Sequence, residues 1–222
     1  RSIPDITTEQ LELADGDFVE LAWVNPGASP LVTVFHGLEG CGYSHYAVRL
    51  LTAIQELGWG AVFMHFRGCG RQPNRLSRSY HSGDTGDIAA LLACLRRRYP
   101  EIPLFGVGYS LGGNALLKYL GEQGSAAPFT AALAVSVPFD LADSARHLSC
   151  GTSRLYQHHL IQRLKRKMKK KFIALDHPLK GEDLGRITTF HEFDDMITAP
   201  LHGFAGADDY YTRCSSRRFL VD

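Results

Sequence analysis

The stretch Gly108-Tyr109-Ser110-Leu111-Gly112 narrows most sharply what this chain can fold into. It follows an apolar, strand-like run, Leu104-Phe105-Gly106-Val107, and precedes a helix-like run from Ala115 to Leu120. In that setting a G-x-S-x-G pentapeptide must reverse a strand into a helix within one tight turn, which holds the serine at a strained backbone angle. Gly108 and Gly112 leave room for neighbouring backbone to approach. The pattern predicts Ser110 Oγ exposed at the carboxyl end of a sheet. The free N–H groups at the start of the following helix would point to the same place.

The first 140 residues alternate strand-like and helix-like segments, as a parallel sheet with helices on both faces requires. Phe18 to Val24, Leu31 to Phe35, Gly60 to Phe66 and Leu104 to Tyr109 read as strands. Ala131 to Val137, which ends at Pro138, reads as another and is expected to be buried. Tyr46 to Leu57 has helical spacing, with Leu50, Leu51, Ile54 and Leu57 on one stripe. Asp84 to Tyr99 reads as a helix capped by Asp84, with Asp87 in its first turn and Arg96, Arg97 and Arg98 at its dipole-favoured end. From about Asp140 the alternation stops. Residues 1–139 are therefore expected to form the core, 140–213 a helical cap inserted over the sheet's carboxyl edge, and 214–222 the start of a return to the core.

Several function classes are excluded or weakened by composition. A net charge of +1 argues against a general nucleic-acid binder. The longest apolar run, Ala131 to Val137, is far shorter than a membrane span. No secretory signal is visible, but the chain starts at Arg1 rather than Met, which leaves open what precedes it. Cys41, Cys69, Cys94, Cys150 and Cys214 are odd in number and lack C-x-x-C spacing, so they read as reduced thiols of a cytoplasmic-type protein. His65, Cys69 and His81 form no compact ligand pattern, and no metal or other cofactor is expected. Gly37 to Gly42 lacks the Lys-Ser/Thr ending of a phosphate-binding loop. The basic loop Arg67 to Arg71 with Pro73-Asn74-Arg75 reads either as a contact for a substrate carboxylate or phosphate, or as a hydrogen-bonded structural loop.

One charge run stands apart. Seven of the nine residues from Arg163 to Lys171 are basic, and no acid lies between Asp143 and Asp176. Leu160, Ile161, Leu164, Met168 and Phe172 recur at helical spacing, which makes this a basic amphipathic helix. Two readings stay open: a solvated face packed by its apolar stripe, or a weak contact with an anionic membrane surface or acidic lipid headgroup, peripheral to the bilayer.

A second motif bears on Ser110. Leu31 to Phe35 runs into His36-Gly37-Leu38-Glu39-Gly40. An HG-x segment after an early buried strand supplies one backbone N–H of an oxyanion hole in serine hydrolases, and the residue after the nucleophile supplies the other. Those donors would be Leu38 and Leu111. The alternative is that His36-Gly37 merely turns the chain out of a strand.

Many ordered blocks join these two: Gly58-Trp59, His65-Phe66-Arg67-Gly68-Cys69, Pro73-Asn74-Arg75, Tyr80-His81-Ser82-Gly83-Asp84, Phe139-Asp140-Leu141, Phe193-Asp194-Asp195, Thr198-Ala199-Pro200 and Asp209-Tyr210-Tyr211. Together they resemble the YheT-like branch of the α/β-hydrolases over about Leu11 to Leu220. That branch includes bacterial predicted esterases and eukaryotic medium-chain ester synthases and lipid hydrolases. The resemblance implies an α/β-hydrolase fold with a helical cap, whose apolar residues would shelter an acyl chain. It implies a serine esterase or lipase acting on small-molecule or lipid esters through an acyl-serine on Ser110. Acyl transfer to an alcohol is the same chemistry with a different acceptor, and a non-catalytic binding protein on this fold is the reading from another class.

The family's triad acid and histidine lie after the cap, following the last two core strands, whereas this chain stops at Asp222. Asp140 is expected to cap the helix starting at Leu141. Asp194, Asp195, Asp208 and Asp209 carry no triad role by the resemblance. His147, His158, His159, His177, His191 and His202 all fall in the cap and read as surface or packing residues. No acid and no histidine base is assigned, and the chain is expected to be a weakly active or inactive fragment lacking the C-terminal core strands.

Overall fold

The computed structural model describes residues 4–175 and 181–220, which divide into two compact units. The first comprises residues up to Arg75, Ser82–Phe139 and the segment from Ser216. The second comprises Leu76–His81 and Asp140–Ser215.

The first unit is built on a six-stranded sheet: β1 (Thr7–Glu12), β2 (Phe18–Val24), β3 (Leu31–Phe35), β4 (Gly60–His65), β5 (Leu104–Tyr109) and β6 (Ala131–Val135). Their order is β1-β2-β4-β3-β5-β6, with β1 and β2 antiparallel to their neighbours and the rest parallel. Every residue of β2, β3 and β4 is buried, which accounts for their continuous apolar runs. Side chains alternate across the sheet. Val32 and Val34 of β3 thus join Ala22, Val24, Ala61 and Phe63 on one face, where α1 (His45–Glu56) packs Ala47, Leu51 and Ile54. Leu57 falls past the end of α1 and is exposed, so the expected stripe stops at Ile54.

Helix α2 (Gly86–Arg98) buries Ile88, Leu91, Leu92 and Leu95. It starts later than the sequence suggests. Thr85 occupies the cap position, already in helical conformation and without a side-chain cap bond, while Asp84 is itself buried. The basic end at Arg96, Arg97 and Arg98 is as expected. Helix α3 (Leu111–Gln123) begins directly after Ser110 and absorbs Gly112 and Gly113, earlier than the run from Ala115 suggests.

The largest departure is β6. Its composition suits a buried strand, yet it lies at the sheet edge, and Leu133 is 59% exposed. An apolar edge with unpaired backbone groups is a ready template for further strand pairing.

Between β4 and α2 the chain is held by charge. Arg67 is buried and grips Asp87 through two nitrogens at 2.8 and 2.7 Å, Asp15 at 2.7 Å and Asp17 at 3.1 Å. Asn74 Nδ2 and the Arg75 N–H also donate to Asp17. Burial disfavours the Asp17 carboxylate, but these donors outweigh it and keep its pKa below the usual range. Arg67 and Asn74 are thereby committed to structure.

The second unit is helical: α4 (Leu141–Leu148), α5 (Ser153–Ala174), α6 (Gly181–Arg186), α7 (Phe190–Phe193), a π-helical turn (Asp194–Thr198), α8 (Ala199–His202) and α9 (Ala207–Cys214). Among the described residues it contains no strand. Asp140 caps α4, its Oδ1 accepting from the Asp143 N–H at 3.0 Å, as its sequence position suggests. Leu141, Ala145, Ala207, Tyr210, Tyr211 and Cys214 form one apolar cluster. In α5 the stripe Leu160, Ile161, Leu164, Met168 and Phe172 is buried.

Candidate active site

Strands β3 and β5 pair in parallel with Phe35 opposite Gly108, so both chains leave the sheet at the same edge. Beyond β5, Ser110 sits at φ +50°, ψ −116°, a left-handed conformation that costs a non-glycine residue on the order of 1–3 kcal/mol. Two glycines make the turn feasible. A Cβ on Gly108 would come within 2.6 Å of Gly113 Cα, and one on Gly112 within 2.5 Å of both the His36 and Phe35 carbonyl oxygens. The Ser110 N–H donates to the Val135 carbonyl of β6 at 2.8 Å, and the Ser110 carbonyl accepts from the Asn114 N–H at 3.0 Å. Ser110 is exposed, and no described residue hydrogen-bonds its hydroxyl.

Asn114, fully buried one turn into α3, clamps the elbow from behind. Its Nδ2 donates to the Ser82 carbonyl at 2.8 Å and its Oδ1 accepts from the Ser216 N–H at 2.9 Å. The motif around Ser110 includes Asn114, but nothing in the sequence indicates these partners, which lie 32 and 102 residues away.

The loop after β3 meets the serine directly. A Cβ on Gly37 would stand 3.3 Å from Ser110 Cβ, a contact tight enough to require a small shift of one or the other. Gly37 to Gly40 close a β-turn through the Gly40 N–H on the Gly37 carbonyl at 3.0 Å, with Glu39 at φ +53°. The N–H of Leu38, at the first central position, makes no hydrogen bond to a described residue. Nor does the N–H of Leu111, the first residue of α3, whose first three N–H groups have no intrahelical acceptor. Tyr46 supports the loop from α1. Its hydroxyl accepts from the Gly37 N–H at 3.3 Å, and its ring lies 4.4 Å from that of Tyr109. Burial pushes the Tyr46 phenol above its ordinary pKa, keeping it neutral.

Two histidines pin the same loop. His36 Nε2 accepts from the Phe66 N–H at 3.0 Å while Nδ1 lies 2.6 Å from the Gly37 carbonyl. His65 Nε2 accepts from the Gly42 N–H at 3.1 Å while Nδ1 lies 3.2 Å from the Glu20 carbonyl. Because an amide only donates and a carbonyl only accepts, both rings are neutral with the proton on Nδ1. Burial lowers the His65 pKa, in the same sense. Neither imidazole has a lone pair left for a serine proton. A cavity of about 250 Å³, lined by Glu20, Cys41, Gly42, His65, Cys69 and Arg71 among others, lies beside this loop, and Ser110 does not line it.

Several acids and histidines of the helical unit are engaged within it. Asp194 accepts from the Thr198 and Tyr211 hydroxyls at 2.6 and 2.8 Å, and burial raises its pKa to about 6. Asp195 and Asp209 accept from the Ala207 and Ala205 N–H groups at 3.0 Å, and Asp208 lies 3.3 Å from His191. His202 Nδ1 rests on the Thr198 carbonyl at 2.8 Å. His158 and His159 are exposed on α5, and His177 lies outside the described residues. Among the described residues, no group of three or more His, Cys, Asp or Glu is arranged to hold a metal ion.

The model of the Hydrolase_4 family (serine aminopeptidase, S33) matches residues 27–173, more than half of the chain and the whole of the loop, elbow and α3 just described. The chain belongs to this family. Within Hydrolase_4 and the wider α/β-hydrolases, its sequence is 45% identical to the putative esterase YheT of Escherichia coli over 218 residues, 96% of the chain and 64% of that protein. It is 28% identical to the phospholipase ABHD3 of Mus musculus over 222 residues, 96% of the chain and 54% of that enzyme. The chain thus spans less than two thirds of either relative's length. The Pyrococcus furiosus esterase Pf2001 shares the fold at a TM-score of 0.56 and 17% identity, covering 74% of this chain and 67% of that one. The α/β-hydrolase fold expected from the sequence is thus the fold observed.

Proposed function

We propose that this chain carries the nucleophile and oxyanion hole of a serine hydrolase that cleaves carboxylic esters, medium-chain or lipid esters among them. One observation carries the reading: an exposed serine at φ +50°, backed by a helix start, with the unengaged Leu38 and Leu111 N–H groups on the two segments that meet at it. In the reaction Ser110 Oγ attacks the ester carbonyl and its proton passes to a general base. The carbonyl oxygen becomes an oxyanion held by the two N–H groups, the alkoxide leaves as the alcohol, and water releases the acyl group. One such donor contributes about 10²–10³ in rate.

Neither His36 nor His65 serves as that general base, since both have both ring nitrogens committed to backbone. By resemblance, the acid and histidine follow the helical unit, which we take to be the family's cap. The names of the E. coli and mouse relatives, an esterase and a phospholipase, support the ester class of substrate.

Labelling with a fluorophosphonate, read by intact mass, tests the proposal on the protein in its full natural length and on Ser110→Ala. A single adduct on the wild type that vanishes in Ser110→Ala is expected. Absence of labelling in a folded, full-length wild type would remove Ser110 as a nucleophile and favour a binding role for the fold.

A further inference from the structure

The basic run in α5 splits into two sets that the sequence cannot separate. One set is built into the helical unit: Lys165 Nζ donates to the Gly185 and Ile187 carbonyls at 3.1 and 2.9 Å, Lys167 sits 5.0 Å from the Tyr80 ring centre, and buried Lys171 donates to the Arg78 carbonyl. The other set, Arg163, Arg166, Lys169 and Lys170, is exposed. At 100° per residue, Arg163, Arg166 and Lys170 fall within about 80° of arc together with Leu155 near the start of the helix and Ile173 near its end.

Those two end residues are the unusual feature. Leu155 is 78% exposed and Ile173 73%, and Tyr156 beside Leu155 is 60% exposed. The helix Ser153–Ala174 contains no acidic residue to offset its cations. Its solvent face is therefore a strip about 27 Å long, with an apolar side chain at each end and cations over roughly 10 Å between them.

We propose that this face docks on the surface of an anionic lipid bilayer. The cations match the charge of acidic headgroups, and Leu155, Tyr156 and Ile173 leave water only on a partner that offers an apolar layer beneath that charge. A nucleic acid would satisfy the cations and leave the apolar ends in water. Among the described residues no helix is long and apolar enough to cross a membrane, so this contact lies in the interface plane. The inference stands apart from the chemistry assigned to Ser110, because binding is read without turnover.

The test is co-sedimentation of the full-length protein with vesicles of phosphatidylcholine alone or containing about 30 mol% phosphatidylglycerol. Binding is expected only to the anionic vesicles and is lost in about 0.5 M NaCl. The triple variant Arg166→Gln, Lys169→Gln, Lys170→Gln should bind on the order of 100-fold more weakly, at roughly fivefold per charge. The variant Leu155→Ser, Ile173→Ser should bind more weakly yet keep its salt dependence, and Lys169→Arg, Lys170→Arg should bind as the wild type does. All these side chains are exposed, so unchanged circular dichroism is expected throughout. Equal binding to neutral and anionic vesicles, an unaffected triple variant, or capture by a DNA duplex without binding to anionic vesicles would each overturn the proposal.

Discussion

Gly112→Ala is the sharpest probe of the elbow, because everything its new methyl meets is backbone. The added Cβ would stand 2.5 Å from the His36 and Phe35 carbonyl oxygens and 2.6 Å from Phe35 C. A contact of that kind needs about 1 Å of relief, and no side chain can rotate to supply it. The end of β3 must therefore move away from the start of α3, carrying Gly37 and Leu38 off Ser110. Overpacking of this kind costs roughly 1–3 kcal/mol. For a chain of this size that is a fall in Tm of about 2–12 °C, at roughly 2–4 °C per kcal/mol. If Leu38 is the oxyanion donor proposed above, the rate should suffer more than the stability, since a displaced donor of that kind costs about 10²–10³. Gly185→Ala is the control: Gly185 is an exposed helical glycine with nothing within 4 Å of the added methyl. It should leave fluorophosphonate labelling unchanged and raise stability slightly. Differential scanning calorimetry and labelling rates on the full-length protein read both effects. If Gly112→Ala labels within about twofold of wild type at an unaltered Tm, the close packing of loop and helix does not govern the site.

Three further outcomes follow from the same geometry. Arg67→Ala should destabilise the fold by about 3–5 kcal/mol, because it strands three aspartates around a buried vacancy, whereas Arg67→Met should cost less; urea unfolding distinguishes them. Asp194 has a folded pKa of about 6 against an ordinary 3.8, so the folded state binds the extra proton between those values and stability from this group falls as pH rises through them. Asp194→Asn should therefore gain on the order of 2–3 kcal/mol relative to wild type at pH 8 compared with pH 4, and a difference flat across that range in thermal melts would contradict the assignment. With ethanol present, product analysis decides the acyl acceptor. Acid release outpacing ethyl ester formation is expected of the proposed hydrolase, and the reverse would indicate an acyltransferase.

The elbow was legible because its demands are local. A strand, two glycines and a serine within six residues leave few ways to build the turn, and Ser110 takes the strained φ that the pattern requires. The strands were legible for a similar reason, since β2, β3 and β4 are buried along their whole length and show it as unbroken apolar runs. Composition failed at β6, where the same kind of run lies at an edge with Leu133 in water. Apolar content reports what a strand is suited to pack against, and the neighbours present in the chain decide whether it does. Asp84 failed differently. It stands where a cap belongs, but the helix begins at Gly86 and the carboxylate is drawn into the interior.

Histidine shows why the candidate site's supports were harder to read than its serine. His36 and His65 flank strands that end at the serine's edge of the sheet, and a residue that titrates near neutrality in such a place invites a chemical role. Each ring instead joins two backbone groups, spanning 30 residues from His36 to Phe66, 23 from Gly42 to His65 and 45 from Glu20 to His65. An imidazole in this state is a rigid bridge with one donor and one acceptor, a shape no other neutral side chain supplies at that reach. Protonating either ring would set an N–H against an amide N–H and break the bridge. For His65, whose folded pKa is depressed by burial, the stabilising contribution is complete above its unfolded value and is lost as pH falls through the folded one. The loop that carries the Leu38 N–H is thus held by groups that work only while neutral, and acid should loosen the site before it unfolds the sheet.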